Sequence, residues 1–277
     1  MGYTERIKLV IVDTGGTICD GPADLKHIYP DDDGLGVKSP VIPFDEALRK
    51  HGITTDWATI RKPMGLFKRD HLKVLLSDPS INEQFKKLHS RDWTEEDVDK
   101  IFADFSVILD DVIVRPELAV PIAGAKEAID EWRAMGVLTG NTTGYTASAA
   151  QKLNAYLKEH YELYTDYPTW PEQVKAGRPY PWMIFKIMSD ANVYPPAAVV
   201  KIGDTKFDMA EGINAGAWTI GTYTTGNNTY DELLEAGADF VVPSIAQCPG
   251  IIYNQIEPRL HRGELPGQTN LHTRGKL

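Results

Sequence analysis

Cysteine and long apolar runs are both scarce in this 277-residue chain. The two cysteines, Cys19 and Cys248, lie far apart and have neither a metal-binding nor a redox-motif spacing, which predicts a reduced protein of the cytoplasm. The apolar run that begins at Leu9 is too short for a signal peptide or a membrane-spanning helix. We therefore expect no membrane partner.

Positive charge is also in deficit. Lysine and arginine number 29 against 39 aspartates and glutamates, and the formal net charge is -10. This balance argues against the broad basic surface that binds nucleic acid or anionic membranes, so the expected partner is a small molecule. An anionic substrate would need a locally basic pocket.

Short apolar runs alternate with segments of helical periodicity through much of the chain. The runs predict strands over 9–12, just before 140, and over 198–202, 218–220 and 240–242. The periodic segments predict helices over 123–135, 146–160, 181–191 and 229–236. Such alternation is typical of an α/β fold with a Rossmann-like, doubly wound parallel sheet, in which ligands bind at the carboxyl ends of the strands.

One long segment, residues 22–112, predicts helices without intervening strands. We interpret it as an all-helical cap domain inserted into a core domain of residues 1–21 and 113–277. One of its helices is predicted to run from about Gly65.

The first part of this insertion, residues 28–43, has the composition of a loop. Its acidic run, 31–33, lacks the alternating ligands of a calcium loop and is expected to be solvated. Further along, Thr94 and Asp97 resemble the capping box that opens a helix.

Carboxylates follow two of the predicted strands. Asp13 directly follows the first strand, and Asp204 follows the strand over 198–202. Asp208 comes four residues later, in the opening turn of a helix. Carboxylates at one sheet edge can hold a hard cation such as Mg²⁺. Asp208 has an alternative interpretation as a cap of its own helix.

Two further turns are suited to an anionic ligand. Residues 139–146, with the sequence TGNTTGYT, offer threonine hydroxyls and the backbone N–H groups of the next helix to phosphoryl oxygens. Arg178 stands just before a helix that prolines can start, and its guanidinium could bind a phosphate or phosphonate through two parallel hydrogen bonds.

The stretch RKPMGLFKRDHLKVLL, residues 61–76, places a lysine on an apolar helical face. Lys68, His71, Leu72 and Leu75 share that face, with Met64 just before it. A desolvated lysine shifts towards the neutral amine, which is a nucleophile for carbonyl groups. His71 either relays protons and orients the amine, or is a structural histidine.

Taken together, these residues resemble the haloacid dehalogenase superfamily and, within it, the phosphonatase family. The similarity rests on five ordered motifs, at residues 13–18, 64–71, 141–146, 177–183 and 203–212. The resemblance implies a Rossmann-like core with a helical cap after the first strand, Mg²⁺ as cofactor, and a homodimer paired through the caps.

The same resemblance implies an activity and a set of roles. The activity is hydrolysis of phosphonoacetaldehyde to acetaldehyde and phosphate, through a Schiff base on Lys68 and a phosphoaspartyl intermediate on Asp13. The implied catalytic residues are Asp13, Lys68 and His71. The implied metal ligands are Asp13, the backbone carbonyl of Gly15, Asp204 and Asp208, the last directly or through water. The implied substrate- and phosphoryl-binding residues are Met64, Gly65, Thr143, Gly144, Tyr145 and Arg178.

Position 15 carries glycine where many phosphate-handling enzymes carry an acid. A phosphate ester expels an alkoxide, which must be protonated as it leaves. An imine on Lys68 would instead accept the electrons of a breaking carbon–phosphorus bond, so the acid would lose its main role. Gly15, Thr14 and Asn141 depart slightly from the family pattern and are expected to line the phosphoryl site. The long segment 22–43 is expected to influence which aldehyde is accepted.

Other functions stay open at this stage. One is a haloacid dehalogenase-type phosphatase or phosphomutase, and another is a phosphonatase-like hydrolase of a different phosphonate aldehyde or phosphate ester. A third is a catalytically silent binding protein on the same scaffold.

Overall fold

A single parallel sheet of six strands organises the protein, in the order β3-β2-β1-β4-β5-β6. The computed structural model describes residues 4–20, 24–224 and 226–267. The strands are β1 (Leu9–Asp13), β2 (Leu138–Thr142), β3 (Tyr167–Thr169), β4 (Val199–Gly203), β5 (Trp218–Thr222) and β6 (Phe240–Val242). The predicted sheet is confirmed, and β3 is the strand that the prediction missed, because it has only three residues and contains a proline.

Helices cover both faces of the sheet, as a doubly wound fold requires. Val10 and Val12 of β1 pack into one cluster with helix side chains such as Trp132, whereas Leu9 and Ile11 point to the other face. The helices of this part are α6 (Ala125–Ala134), α7 (Ala147–Tyr161), α8 (Trp182–Asp190), α9 (Lys206–Ala215), α10 (Tyr230–Glu235), α11 (Cys248–Ile251) and α12 (Glu257–His261), with a π-helical turn at Ile252–Ile256 between the last two.

A layer of five helices lies between β1 and β2 in the chain. These are α1 (Val41–Lys50), α2 (Trp57–Arg61), α3 (Lys68–Leu76), α4 (Pro79–His89) and α5 (Glu95–Val112), called the helical layer below. The predicted capping box is present, since Asp97 accepts hydrogen bonds from the backbone N–H and the hydroxyl of Thr94, both at 2.8 Å. On α5, Asp110 accepts hydrogen bonds from Ser148 and Lys152, which ties the layer to α7.

Helix α3 begins at Lys68 and not at Gly65, so the predicted start was wrong by three residues. Gly65 has a φ of +102°, which is outside the helical region, and Phe67 has a ψ of 135°. The predicted face is nevertheless buried, with Lys68, His71, Leu72 and Leu75 all directed inward.

The segment of residues 24–40, called the strap below, runs as a loop beside the helical layer. Its acidic run was predicted to be solvated, and for Asp32 this is wrong because that side chain is buried. Asp32 accepts hydrogen bonds from the backbone N–H groups of Leu25 and Gly34, at 2.9 Å each, and its carboxylate lies 3.9 Å from the Lys38 ammonium. A buried carboxylate is stable here because backbone donors and a cation replace water. Residues 22 and 23, the first of the predicted long segment, lie outside the described residues.

Within the described residues, no helix combines the length and the apolar character needed to cross a membrane. Cys19 and Cys248 are both buried and form no disulfide.

Candidate active site

The predicted site residues converge at the carboxyl ends of β1, β2 and β4. The register pairs Asp13 with Thr142 on one side and Val12 with Ile202 on the other, so three strands end at one place. The helical layer closes over this edge, leaving a cavity of about 20 Å³. Predicted residues lining it are Asp13, Gly15, Met64, Gly65, Lys68, Thr143, Gly144, Tyr145 and Arg178; unpredicted ones are Val37, Pro40, Thr205 and Asn227.

Three carboxylates meet beneath this cavity. Asp13, Asp204 and Asp208 are buried, and one oxygen of each lies within 4.8 Å of the others. Asp204 Oδ2 accepts hydrogen bonds from the backbone N–H and the side-chain amide of Asn227, both at 3.0 Å. Asp204 Oδ1 is buried without a hydrogen-bond partner among the described residues. An orphaned carboxylate oxygen facing two other carboxylates is what a hard divalent cation would satisfy.

The three carboxylates differ in electrostatic environment. Burial raises the pKa of Asp204 well above its usual range, and the charges of Asp13 and Asp208 add to this. Burial also raises the pKa of Asp13, although Arg178 opposes the shift. Burial acts in the same direction on Asp208, but Arg178, Lys201 and a hydrogen bond from Thr205 outweigh it, and the pKa of Asp208 falls.

Arg178 is the hub of a buried ion-pair network. Its Nη2 donates to Asp13 Oδ1 at 2.5 Å and to the carbonyl oxygen of Thr142 at 2.6 Å. Nη1 lies 2.9 Å from Asp208 Oδ1, and Nε donates to Glu211 Oε2 at 3.2 Å. Each nitrogen of the guanidinium thus has an acidic partner, which fixes the orientation of the group beside Asp13.

Lys201, Glu211 and Thr142 belong to the same network and were not predicted. Lys201 Nζ lies 3.0 Å from Asp208 Oδ1 and 3.1 Å from Glu211 Oε2, and it donates to the Thr142 hydroxyl at 2.6 Å. The sequence carries a signal for Lys201, because a lysine inside an otherwise apolar buried strand requires an acidic partner. Glu211 lies three residues after Asp208, on the same side of α9.

The charges of this region do not cancel among themselves. Four buried carboxylates, Asp13, Asp204, Asp208 and Glu211, stand against two cations in ion pairs with them, Arg178 and Lys201. The difference is two negative charges when all four carboxylates are ionised and Lys68 is neutral. The donor set and its charge therefore fit a divalent cation such as Mg²⁺.

The sequence left open whether Asp208 is a metal ligand or a helix cap, and the structure shows the cap. Its Oδ2 accepts hydrogen bonds from the hydroxyl of Thr205 at 2.5 Å and from the backbone N–H of Thr205 at 3.2 Å, so it does complete a capping box on α9. Its Oδ1 pairs with Arg178 and Lys201. Asp208 therefore caps α9 through one oxygen and joins the ion-pair network through the other.

Lys68 faces this acidic region from the helical layer. Its side chain is buried, and Nζ donates to the thioether of Met64 at 3.5 Å and lies 5.2 Å from the centroid of the Tyr145 ring. Burial lowers the pKa of Lys68 to about 8, with Arg178 adding to the shift and the site carboxylates opposing it. About a tenth of this amine is therefore neutral at pH 7, and about half at pH 8.

His71 lies behind Lys68 and does not line the cavity. Its Nε2 donates to the carbonyl oxygen of Ile60 at 2.7 Å, and its ring stacks on Phe44 with centroids 4.1 Å apart. Burial and the charge of Lys68 lower the pKa of His71 well below its usual value, so the imidazole is neutral. Its Nδ1 is buried without a hydrogen-bond partner in the described part of the chain.

The helical layer and the sheet edge touch through their backbones. The N–H of Lys68 donates to the carbonyl oxygen of Gly144 at 3.2 Å. A Cβ on Gly144 would collide with the carbonyl oxygen of Leu66, and one on Gly65 would lie 2.5 Å from the Thr205 hydroxyl. Glycine at both positions allows this close approach, which brings Lys68 over Asp13. Thr143, on the same turn, accepts a hydrogen bond from the N–H of Tyr145 at 3.2 Å.

The departures from the family pattern occupy two environments. Gly15 lines the cavity, and a Cβ there would lie 2.5 Å from the Tyr145 hydroxyl, so the position has no room for an acidic side chain. Thr14 and Asn141 were predicted to line the phosphoryl site, but neither contributes to the cavity wall. They are buried and bond to each other instead, Asn141 Nδ2 donating to the Thr14 hydroxyl at 2.9 Å.

A larger cavity, of about 370 Å³, lies at the opposite end of the sheet. Its walls include Pro195, Ile213 and Leu265, and none of the predicted site residues contributes to it. The chemistry of the protein is therefore assigned to the small polar cavity and not to this apolar one.

Comparisons with known proteins agree with this geometry. A family model described as haloacid dehalogenase-like hydrolase matches residues 7–216. The chain is 35% identical to a phosphonoacetaldehyde hydrolase of Syntrophobacter fumaroxidans, over 95% of this chain and 97% of that one. It is 37% identical to the phosphonoacetaldehyde hydrolase of Bacillus mycoides, over 78% of this chain and 75% of the relative.

Solved structures give the same result for the fold. A phosphonoacetaldehyde hydrolase-like protein from Oleispira antarctica superposes with a TM-score of 0.85 at 26% identity, covering 96% of this chain and 98% of that chain. A β-phosphoglucomutase from Clostridium difficile has a TM-score of 0.66 at 18% identity, covering 93% and 98%, and shares the fold alone. The sequence comparisons and the structure together place this chain among the haloacid dehalogenase-like hydrolases, and within them it belongs to the phosphonoacetaldehyde hydrolase family.

Proposed function

We propose that this enzyme hydrolyses the carbon–phosphorus bond of phosphonoacetaldehyde, releasing acetaldehyde and phosphate. The observation that carries the proposal is the buried amine of Lys68, whose pKa is lowered to about 8 and which lines the same small cavity as the Asp13 carboxylate. The names of the relatives from Syntrophobacter fumaroxidans and Bacillus mycoides support this substrate.

In the first step, the neutral Lys68 amine adds to the aldehyde carbon and water leaves, giving a protonated imine. His71 is proposed to orient the amine. Its imidazole is uncharged, and its unpartnered Nδ1 is a hydrogen-bond acceptor that adds no charge beside Lys68. The Met64 thioether accepts a hydrogen bond from the same amine, which helps to orient it.

In the second step, an Asp13 oxygen attacks phosphorus and the carbon–phosphorus bond breaks. The electron pair of that bond moves into the imine, so the leaving group is a neutral enamine and Asp13 carries the phosphoryl group. No acid has to protonate a departing alkoxide, in agreement with the lack of room for a carboxylate at Gly15. The same observation argues against an ordinary phosphate-ester phosphatase.

Two hydrolyses complete the cycle. Water cleaves the aspartyl phosphate and releases inorganic phosphate. The enamine takes up a proton at carbon to return to the imine, and a second water then releases acetaldehyde and the free Lys68 amine. One water is formed and two are consumed, so the net reaction uses one water.

The acidic cluster is proposed to hold Mg²⁺ through Asp13, the backbone carbonyl of Gly15 and Asp204, with Asp208 acting through water. When bound, the metal supplies positive charge to the phosphoryl oxygens and to the attacking carboxylate. Arg178 lies 2.5 Å from Asp13 Oδ1 and is proposed to stabilise the phosphoryl group as it forms there. Thr143, Gly144, Tyr145 and Gly65 are proposed to bind or enclose the substrate, since all line the cavity.

The helical layer is proposed to act as a cap domain, with domain limits at residues 22–112. The limit at residue 22 lies outside the described residues. A cavity of about 20 Å³ holds roughly one water molecule, so the layer and the sheet edge must separate for substrate to bind. Reclosure would exclude bulk water from the aspartyl phosphate.

We also propose a cytoplasmic homodimer that pairs through its caps. Exposed Val74, Leu88 and Val107 on the helical layer support such a contact. Sedimentation of the wild type and of a Val107→Glu variant would test it. We expect the wild type to be a dimer and the variant to be a monomer, because the introduced charge disrupts the apolar contact. A monomeric wild type would contradict the proposal.

The activity is tested by the release of phosphate from a small set of substrates in the presence of Mg²⁺. We expect rapid, stoichiometric release of phosphate and acetaldehyde from phosphonoacetaldehyde. Phosphonoacetate, which has no aldehyde, and a simple phosphate monoester are the matched controls and should react at least about 1000-fold more slowly. Faster turnover of the monoester would contradict the proposal and favour a phosphatase.

A further inference from the structure

The strap contributes a side chain that reaches the wall of the active site. Ser39 is buried, and its hydroxyl lies 2.9 Å from the hydroxyl of Tyr145. On its other side, the same Ser39 hydroxyl lies 2.6 Å from Asp20 Oδ2. Asp20 also accepts the backbone N–H groups of Lys38, at 3.1 Å, and Ser39, at 2.8 Å. The carboxylate therefore holds the strap in place at this point.

The direction of these hydrogen bonds follows from the groups involved. Ser39 has one proton, and the Asp20 oxygen at 2.6 Å is an acceptor, so Ser39 donates to Asp20. The Ser39 oxygen is then left to accept the proton of the Tyr145 hydroxyl. Burial raises the pKa of Tyr145 well above its usual value, which keeps that proton in place. Tyr145 is thus held by its hydroxyl and is not free to turn.

Gly15 supplies the space for this arrangement. A Cβ on Gly15 would lie 2.5 Å from the Tyr145 hydroxyl oxygen and 3.4 Å from the ring carbon that bears it. Any side chain at position 15 would therefore push the hydroxyl away from Ser39. The ring itself forms the wall beside the Lys68 amine, with 5.2 Å between Nζ and the ring centroid.

We propose that Ser39 is a positioning residue: with the space at Gly15, it fixes the Tyr145 ring against the Lys68 amine and so sets the geometry in which the aldehyde meets that amine. This rests on the proposed function for the aldehyde, but the contacts among Ser39, Tyr145 and Gly15 are independent of it. Ser39 thereby acts on the reaction through Tyr145 and does not itself line the cavity.

The first test is a double-mutant comparison of Ser39→Ala with and without Tyr145→Phe. With Tyr145 present, Ser39→Ala should lower kcat/KM for phosphonoacetaldehyde about tenfold, because it leaves a buried hydroxyl unpaired. In the Tyr145→Phe background it should change kcat/KM less than about twofold. Equal losses in the two backgrounds would overturn the proposal. If Ser39→Ala does not fold, Ser39→Cys keeps the volume and should give a smaller loss with the same dependence on Tyr145.

The second test uses Gly15→Ala, which leaves both hydroxyls in place but displaces one from the other. Gly15→Ala should lower kcat/KM by the same factor as Ser39→Ala. The double variant with both changes should be no less active than the less active single variant, because both changes disrupt the same contact. If the two factors multiply in the double variant, the coupling is overturned. Asp33→Asn is the control, because it removes the ion pair between the strap and Arg61 without touching Tyr145. A loss in Asp33→Asn equal to that in Ser39→Ala would show that loosening the strap is sufficient, and would also overturn the proposal.

A third measurement separates this proposal from the proposed function. The rate at which an amine-reactive reagent modifies Lys68 at fixed pH is followed by peptide mass spectrometry without substrate. Ser39→Ala and Gly15→Ala should raise that rate and Asp33→Asn should not, even if phosphonoacetaldehyde proves not to be the substrate. Equal rates in the wild type and all variants would overturn the positioning role, whatever the activity of the enzyme.

Discussion

The two sides of the cavity are built on opposite principles. The sheet side gathers charge, and Arg178 and Lys201 each contact two or more carboxylates there. The layer side presents one amine, Lys68, among a thioether, an aromatic ring and a neutral imidazole. Arg178, Lys201 and their acidic partners are held in place by ion pairs, whereas burial lowers the pKa of the amine on the second side.

This contrast indicates a division of chemical work. Phosphoryl transfer needs fixed charges around a nucleophile, which the sheet side provides around Asp13. Imine formation needs an uncharged amine, which a strongly charged surrounding would not provide. Because Asp13 and Lys68 lie on separate parts of the chain, one can have a charged environment and the other an apolar one. The backbone hydrogen bond between Lys68 and Gly144 brings the two parts together.

The largest effect should come from removing the proposed nucleophile on the sheet side. Asp13→Asn should lower phosphate release about 10000-fold, because the amide cannot form the phosphoryl intermediate. The Lys68 amine should still condense with the aldehyde, so the layer side should work alone. Phosphate release is the measurement, with Asp190→Asn at the exposed end of α8 as the control. Loss of imine formation in Asp13→Asn as well would contradict the division of work.

Removal of the amine is the complementary change on the layer side. Lys68→Arg keeps a positive charge but cannot form an imine, and should lower kcat for phosphonoacetaldehyde about 1000-fold. Lys73→Arg, on the same helix and partly exposed, is the matched control and should retain full activity. Retention of more than about a tenth of the activity by Lys68→Arg would show that the amine is not the nucleophile.

The charge network behind Arg178 should show an intermediate effect. Glu211→Gln keeps the shape but removes a carboxylate that Arg178 and Lys201 both contact, which should destabilise the fold by about 3 kcal/mol. The less firmly held guanidinium should also lower kcat/KM about 30-fold. Denaturant unfolding and steady-state kinetics measure the two effects, with Glu235→Gln on α10 as the control. Unchanged stability would mean that Glu211 does not balance these cations.

The pH dependence that the layer side imposes is, per pH unit, the smallest of these effects. Because the pKa of Lys68 is lowered to about 8, the reactive neutral amine becomes more abundant as pH rises towards 8 and then levels off. We expect kcat/KM to rise up to about tenfold per pH unit below 8 and to flatten above it. Kinetics between pH 6 and 9, with circular dichroism to confirm folding, would check this. A rate that falls over the same range would contradict a neutral-amine nucleophile.

Much of this comparison is visible in the sequence. Asp13, Asp204 and Asp208 could be placed at one edge because parallel strands end together, and Lys68 could be assigned an apolar face from helical spacing. Periodicity cannot show how backbones pack, so it missed the late start of α3 after the positive φ of Gly65. Local pattern also failed for Asp32, whose partner Lys38 and backbone donors become evident only when the strap is folded.

The least predictable contacts join residues distant in the chain. Lys201 and Arg178 both contact Glu211 because of the order of the strands, and Ser39 meets Tyr145 across more than a hundred positions. Thr14 and Asn141 are paired for the same reason, although the sequence placed them on the phosphoryl site. The sequence does not show which distant residues become neighbours, because the strand order and register of the folded sheet determine this.

The most direct test of the central claim is to trap the imine on Lys68 by reduction. The wild type is mixed with phosphonoacetaldehyde, reduced with borohydride, and mapped by peptide mass spectrometry. The account predicts a reduced, secondary-amine adduct on Lys68 and none on Lys73, together with loss of phosphate release. Undiminished phosphate release with no adduct on Lys68 would contradict it.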